Sequence, residues 1–299
     1  MKAKVLRRHT ALITKQDKEV GLYQAYEFVG LLEAVKTRAF ELFAGTDIGE
    51  IDHRELAALV RRESQKIRRS AHHSGLSQLL YGFFCFLLGF LIMNHQGRKK
   101  GRQKKEIGNH LRLQVLAQRH LTQGMLVVNE LARGVIYNYG LERLNDPLKN
   151  QWASAYQGAM TVARVAFQLK TLELKTLLPN PVEDMFQGID LLVPIEGNRR
   201  GLCLQITSSN QQTQSQCFRL NGKSAQTYPK EDQKRIGHIL LGTLGFNSHH
   251  KTRWIPVYFS VATADIQPVI LEWCPELFLS LWVMLRQIQP DLPSFHQRV

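Results

Sequence analysis

A chain of 299 residues is long enough for about two domains, and its 44% hydrophobic, 9% aromatic and 21% charged composition excludes a disordered or collagen-like polymer. Its four cysteines (Cys85, Cys203, Cys217 and Cys274) form no CxxC pair, which argues against a structural zinc site or disulfide framework and for a reducing compartment. The net charge of +14 is uneven: residues 1–150 hold 25 Lys/Arg against 14 Asp/Glu, and residues 54–119 alone hold 14 against 3.

In chain order, Met1–Thr10 is basic but no apolar h-region follows, so no secretory signal is read there. Asp17–Phe43 places Val20, Tyr23, Leu31, Leu32, Ala39 and Phe43 in a roughly 3.6-residue rhythm, which predicts a helix that Gly45-Thr46-Asp47 breaks. Asp52, with Glu55 three residues on, predicts a capping box opening a helix to about Ala71. Leu79–Met93 (LLYGFFCFLLGFLIM) is apolar for 15 residues without interruption. A bilayer span needs about 20, so the run is a short transmembrane helix or, the preferred reading, a buried or partner-covered one. Basic clusters flank it on both sides and assign no orientation; Gly82 and Gly89, seven apart, allow close helix packing in either case.

Asn94–Lys105 reads as a polar surface loop. Its cations Arg98, Lys99, Lys100, Arg102, Lys104 and Lys105 are candidates for gripping a nucleic-acid backbone. They would equally suit the anionic headgroups of a membrane at Leu79–Met93, or serve solubility alone. Leu111–Tyr139 resumes as helix, and Asn145-Asp146-Pro147 marks a boundary between a basic helical region, residues 1–147, and an α/β domain, residues 148–299.

The second half changes pattern. Trp152–Leu178 reads as a long helix stopped by Pro179-Asn180-Pro181. Ile189–Ile195 and Gly201–Ser208, joined by a polar turn at Glu196–Arg200, predict a β-hairpin, with Cys217–Leu220 as a third strand. Glu231–Leu244 reads as helix, Trp254–Ala262 as a buried strand and Pro275–Ile288 as a closing amphipathic helix. The expected fold class is therefore mixed α/β behind a helical N-terminal half.

Chemistry-bearing residues concentrate at the hairpin. Asp190 opens one strand, and Gln205 and Thr207 share one face of the next while Ile206 turns into the core. Glu173, Glu183 and Asp184 add carboxylates upstream. Two or three converging oxygens would suit one Mg²⁺, which would activate water and steady the charge developing on a phosphate. Each residue also has a plainer role: Asp190 as a strand-end pair, Gln205 and Thr207 as surface polar groups, Glu183 and Asp184 as acids at a helix start. The tandem pairs His72-His73 and His249-His250 lack metal-ligand spacing, and Lys230–Arg235 (KEDQKR) is either a solvated helix face or a phosphate contact beside the hairpin.

The stretch Pro181–Ser209, PVEDMFQGIDLLVPIEGNRRGLCLQITSS, resembles the core signature of the PD-(D/E)XK nuclease superfamily. That family places an Asp on one strand and Glu or Gln, any residue, then Lys on the next, after a helix carrying a further acid. Asp190 falls on the Asp and Gln205 on the Glu/Gln; Glu173 or Glu183 falls on the helix acid. The resemblance implies a restriction-endonuclease-like α/β domain, with Asp190 and Gln205 holding Mg²⁺ or Mn²⁺, that cuts DNA or RNA. Thr207 stands where the family has Lys and supplies no positive charge. A basic residue recruited from nearby would restore it, with Lys175, Arg219 and Lys223 as local candidates. Two functions stay open: a cytoplasmic metal-dependent endonuclease, or a non-cutting nuclease-like module in a membrane-associated or scaffolding protein.

Overall fold

The computed structural model describes residues 10–11, 22–45, 51–71, 73–96, 104–180, 184, 187–196, 200–209, 215–220, 230–262, 268–271 and 279–288. They fall into two compact units, Ile13–Met160 and Thr161–Val299 together with Met1–Leu12.

The first unit is helical: α1 (Leu22–Gly45), α2 (His53–Ser70), α3 (Ser74–Gln96), α4 (Lys104–Val127), α5 (Glu130–Arg143) and the start of α6 (Asp146–Thr171). The expected capping box opens α2: the Asp52 side chain accepts from Arg54 N at 2.7 Å and Asp52 N donates to Glu55 Oε2 at 3.2 Å. Helix α2 buries Leu56, Val60, Glu63 and Ile67 along one stripe. The buried Glu63 is tied to α1, accepting from Arg38 Nε at 3.2 Å, and also accepts from Lys66 Nζ at 2.8 Å. Burial alone would raise its pKa; the bonds from Arg38 and Lys66 outweigh that and hold the carboxyl below its ordinary range.

The apolar run lies within α3. Over Ser74–Asn94 it is long and apolar enough to cross a bilayer, yet 89% of its most apolar window is buried inside the protein, which is how a core helix sits. Glycines make this possible. A Cβ on Gly82 would lie 2.8 Å from Leu121 N of α4, and one on Gly124 of α4 would lie 2.9 Å from Leu79 N, so the two backbones approach closer than side chains would allow. Phe83 and Phe86 pack edge-on to Trp152, with centroids 5.1 Å away in both cases. The single helix expected over Leu111–Tyr139 is two: α4 ends at Val127, and the Asn129 side chain caps α5 by accepting from Ala132 N at 3.2 Å.

The second unit holds a mixed sheet of β1 (Thr10–Ala11), β2 (Leu177–Leu178), β3 (Leu191–Glu196), β4 (Arg200–Ser209), β5 (Gln216–Arg219) and β6 (Arg253–Ala262), with α7 (Lys230–His250) and α8 (Leu279–Ile288). The spatial order is β1-β2-β3-β4-β6-β5; β4 and β6 run parallel and the other pairs antiparallel. Thus the hairpin forms as expected, and the expected third strand, here Gln216–Arg219, pairs with β6.

The long helix expected to Leu178 is corrected: α6 stops at Thr171 and residues 177–178 join the sheet. The stop is a Schellman turn, with Glu173 N donating to Lys170 O at 2.8 Å and Leu174 N to Leu169 O at 3.0 Å. It puts Glu173 in the left-handed region, φ +61°, a place usually given to glycine, which is why the sequence carries no stop signal there. Helix α7 covers one sheet face, packing Ile236, Ile239 and Phe246 against Leu192, Cys203, Trp254 and Tyr258.

Candidate functional site

The segment before β3 is held between β4 and α7. Gln187 O passes so close to Gly242 of α7 that a Cβ there would lie 2.0 Å from it. Gly188 follows with φ +61°, and a Cβ there would meet Gln205 Oε1 at 2.7 Å and His238 Nδ1 at 2.9 Å. Only glycine admits both the backbone turn and this approach. Asp190 then pairs with β4, its N–H donating to Leu204 O at 2.8 Å.

Of the expected hairpin residues, Asp190 and Gln205 are brought together. Asp190 Oδ2 accepts from Gln205 Nε2 at 2.6 Å and from Ile206 N at 2.7 Å. Leu192, Leu204 and Ile206 are all buried, but on two faces: Leu192 is paired with Cys203 on the Gln205 face, while Leu204 and Ile206 alternate to the other. Asp190 is only 8% exposed, and burial pushes its carboxyl up from 3.8 to about 7, against the opposing pull of the Ile206 N–H and the Arg235 charge.

A cation reaches Thr207 from α7. Arg235 Nη1 donates to Thr207 Oγ1 at 2.6 Å, while the Arg235 side chain remains exposed. Arg235 also hydrogen-bonds the phenol of Tyr258, the β6 neighbour of Gln205. Tyr258 Oη donates in turn to the buried Asp232 Oδ1 at 2.5 Å. Burial, and then that bond to Asp232, push the Tyr258 phenol up, so it stays protonated and remains a donor. Asp232 and Arg235, three apart on α7, thus reach β6 and β4 together. Beside Thr207 in register, Ser260 Oγ is fully buried with no hydrogen-bond partner among the described residues.

The other expected residues are placed differently. Glu173 is exposed at the C-terminal turn of α6. Lys175 is exposed, and Arg219 ends β5, on the opposite sheet face from Thr207 by strand alternation. Glu183, Lys223, Arg98, Lys99, Lys100 and Arg102 lie outside the described residues, and Lys104 and Lys105 open α4 with side chains outside them too. Of the tandem histidines, His249 and His250 meet edge-on with ring centroids 4.7 Å apart, and His250 lies tilted against Phe246 at 4.5 Å.

A magnesium-like cation prefers oxygen ligands that include one or two carboxylates. In this site Asp190 Oδ2 already accepts from two donors, Asp232 is engaged by Tyr258, and among the described residues no group of three His, Cys, Asp or Glu side chains that could hold a metal converges. What the site does form is a buried carboxyl–amide pair beside an exposed guanidinium. Arg235 was foreshadowed only by the Lys230–Arg235 run, where Asp232 and Arg235 share one helix face.

The chain matches no protein-family model, no curated protein and no solved structure.

Proposed function

We propose that the α/β unit is a nuclease-like module that binds the phosphodiester backbone of DNA or RNA, with Arg235 standing in for the lysine that Thr207 replaces. The observation that carries this reading is the 2.6 Å bond from Arg235 to Thr207, which brings an exposed cation to the strand position where the resemblance requires one. A guanidinium there presents planar, paired donors suited to phosphate oxygens. Support comes also from the joining of Asp190 to Gln205 on one hairpin and from the order of helix, strands, helix and parallel strand around them. The basic excess of residues 54–119 favours a polyanionic partner as well.

The experiment is a binding titration with unrelated DNA and RNA oligonucleotides. Arg235→Gln is expected to weaken binding to all of them alike and to reduce the salt dependence by about one phosphate's worth. Undiminished binding would remove the site from the account. The same samples, incubated with Mg²⁺ or Mn²⁺, report on cleavage: strand scission that Asp190→Ala abolishes would raise the reading from a binding module to a metal-dependent endonuclease.

A further inference from the structure

At the far end of the same strands lies a second cationic feature. Arg200 opens β4 and Arg253 opens β6, paired directly in the parallel ladder; Arg219 ends β5. All three project to one face, because Arg219 is paired with Val257 and Val257 alternates in step with Arg253. That face is opposite to the one bearing Gln205 and Thr207, and Arg200 is five residues from Gln205, about 17 Å along the strand.

Two adjoining cavities share Arg200 and Arg253. One, of about 380 Å³, is lined by Arg200, Lys251, Thr252 and Arg253. The other, of about 350 Å³, adds Arg219 and Gln287 of α8. Across the β3–β4 ladder Arg200 is paired with Glu196, so the Arg200→Gln/Arg253→Gln double substitution removes cations from a cleft with one acid at its edge.

The turn that presents two of these groups is fixed. Asn247 of α7 accepts Trp254 N through Oδ1 at 2.7 Å and donates through Nδ2 to Trp254 O at 2.9 Å. Thr252 adds its Oγ1 to Asn247 Oδ1 at 3.1 Å and its N–H to Asn247 O at 3.1 Å. Lys251 is thereby held in the left-handed region, φ +52°.

We propose that this cleft is a phosphate-binding site, separate from the Asp190–Arg235 site and independent of the function assigned to it. Three guanidiniums and one ammonium around adjoining cavities suit phosphate oxygens, and two cavities sharing Arg200 and Arg253 suit successive phosphate groups, whether of a nucleic-acid backbone or of a small polyphosphate.

The test is thermal unfolding of the full chain in inorganic phosphate against chloride at matched ionic strength, for the wild type and the Arg200→Gln/Arg253→Gln double variant. Phosphate is expected to raise the wild-type Tm beyond chloride, and the variant is expected to lose that extra rise while melting no lower than wild type in dilute buffer. Arg235→Gln is expected to keep the phosphate shift, so the two sites fail separately. Pyrophosphate and a short oligonucleotide then identify the source: oligonucleotide affinity falling about tenfold in the double variant assigns the cleft to a backbone, and pyrophosphate binding lost alone assigns it to a small ligand. A wild-type shift no larger than in chloride, or a shift unchanged in the double variant, overturns the proposal.

Discussion

Replacing Asp190 with Asn isolates the electrostatic cost of burying its carboxylate. The amide oxygen can still accept from Gln205 Nε2 and Ile206 N, so the two bonds at 2.6 and 2.7 Å survive while the charge does not. In the folded wild type the carboxyl titrates near 7, raised by burial from 3.8. The folded state therefore holds one proton more than the unfolded state between those values, and stability falls as pH rises through the window. Each pKa unit is worth about 1.4 kcal/mol, so the wild type is expected to lose about 3–4 kcal/mol from this group between pH 4 and pH 8. The variant loses none of it. Urea denaturation of both proteins across that range gives the difference curve directly, and titrations common to both cancel. Asp190→Asn should gain on the wild type steadily as pH rises. Parallel pH profiles for the two proteins would show that Asp190 is solvated or ionised at neutral pH, and the buried pair would have to be abandoned.

Three further outcomes follow from the helices. Glu173→Gly should raise stability by about 0.5–1 kcal/mol in denaturant, because glycine takes the left-handed position without side-chain strain; a loss would mean that the Glu173 side chain has a structural role outweighing its backbone. His120, hydrogen-bonded to Gln78 at 2.5 Å between α3 and α4, is pushed by burial down to about 3 from 6.5, with Arg119 and Arg68 adding to the effect. The unfolded chain takes up the proton first, so about 3 kcal/mol should be lost as pH falls from 6.5 to 4, and His120→Gln should flatten that slope; an unchanged slope would place the acid sensitivity elsewhere. Gly124→Ala should destabilise by about 1–3 kcal/mol, since its methyl would meet the Leu79 backbone 2.9 Å away, and a neutral effect in denaturant would mean that α3 and α4 separate cheaply.

The parts of the fold legible in the sequence are those set by local chemistry. Asp52 and Glu55 announce α2, and the alternation of Gln205 with Ile206 announces that the Gln205 amide meets Asp190. Misreadings arose where no local residue marks the event. Helix α6 ends on a left-handed glutamate rather than on a glycine, so the sequence pattern runs the helix on over Leu177–Leu178, which join the sheet. Asn129 interrupts Leu111–Tyr139 by capping, with neither glycine nor proline beside the break. The site was half visible for the same reason. Asp190, Gln205 and Thr207 sit on one hairpin, whereas Arg235 arrives from a helix 28 residues beyond Thr207. That contact depends on how α7 lies across the sheet, which the buried Ile236, Ile239 and Phe246 decide. No spacing rule along the chain encodes it.

The central claim is that Arg235 supplies at Thr207 the charge a lysine would supply there, and a charge exchange tests it most directly. Oligonucleotide affinity is measured for the wild type, for Arg235→Gln, and for Arg235→Gln combined with Thr207→Lys. The account predicts that the first substitution weakens binding and lowers the salt slope by about 0.9 on duplex DNA, and that the second restores both. Affinity untouched by Arg235→Gln, or lost and not recovered with lysine at position 207, would contradict it.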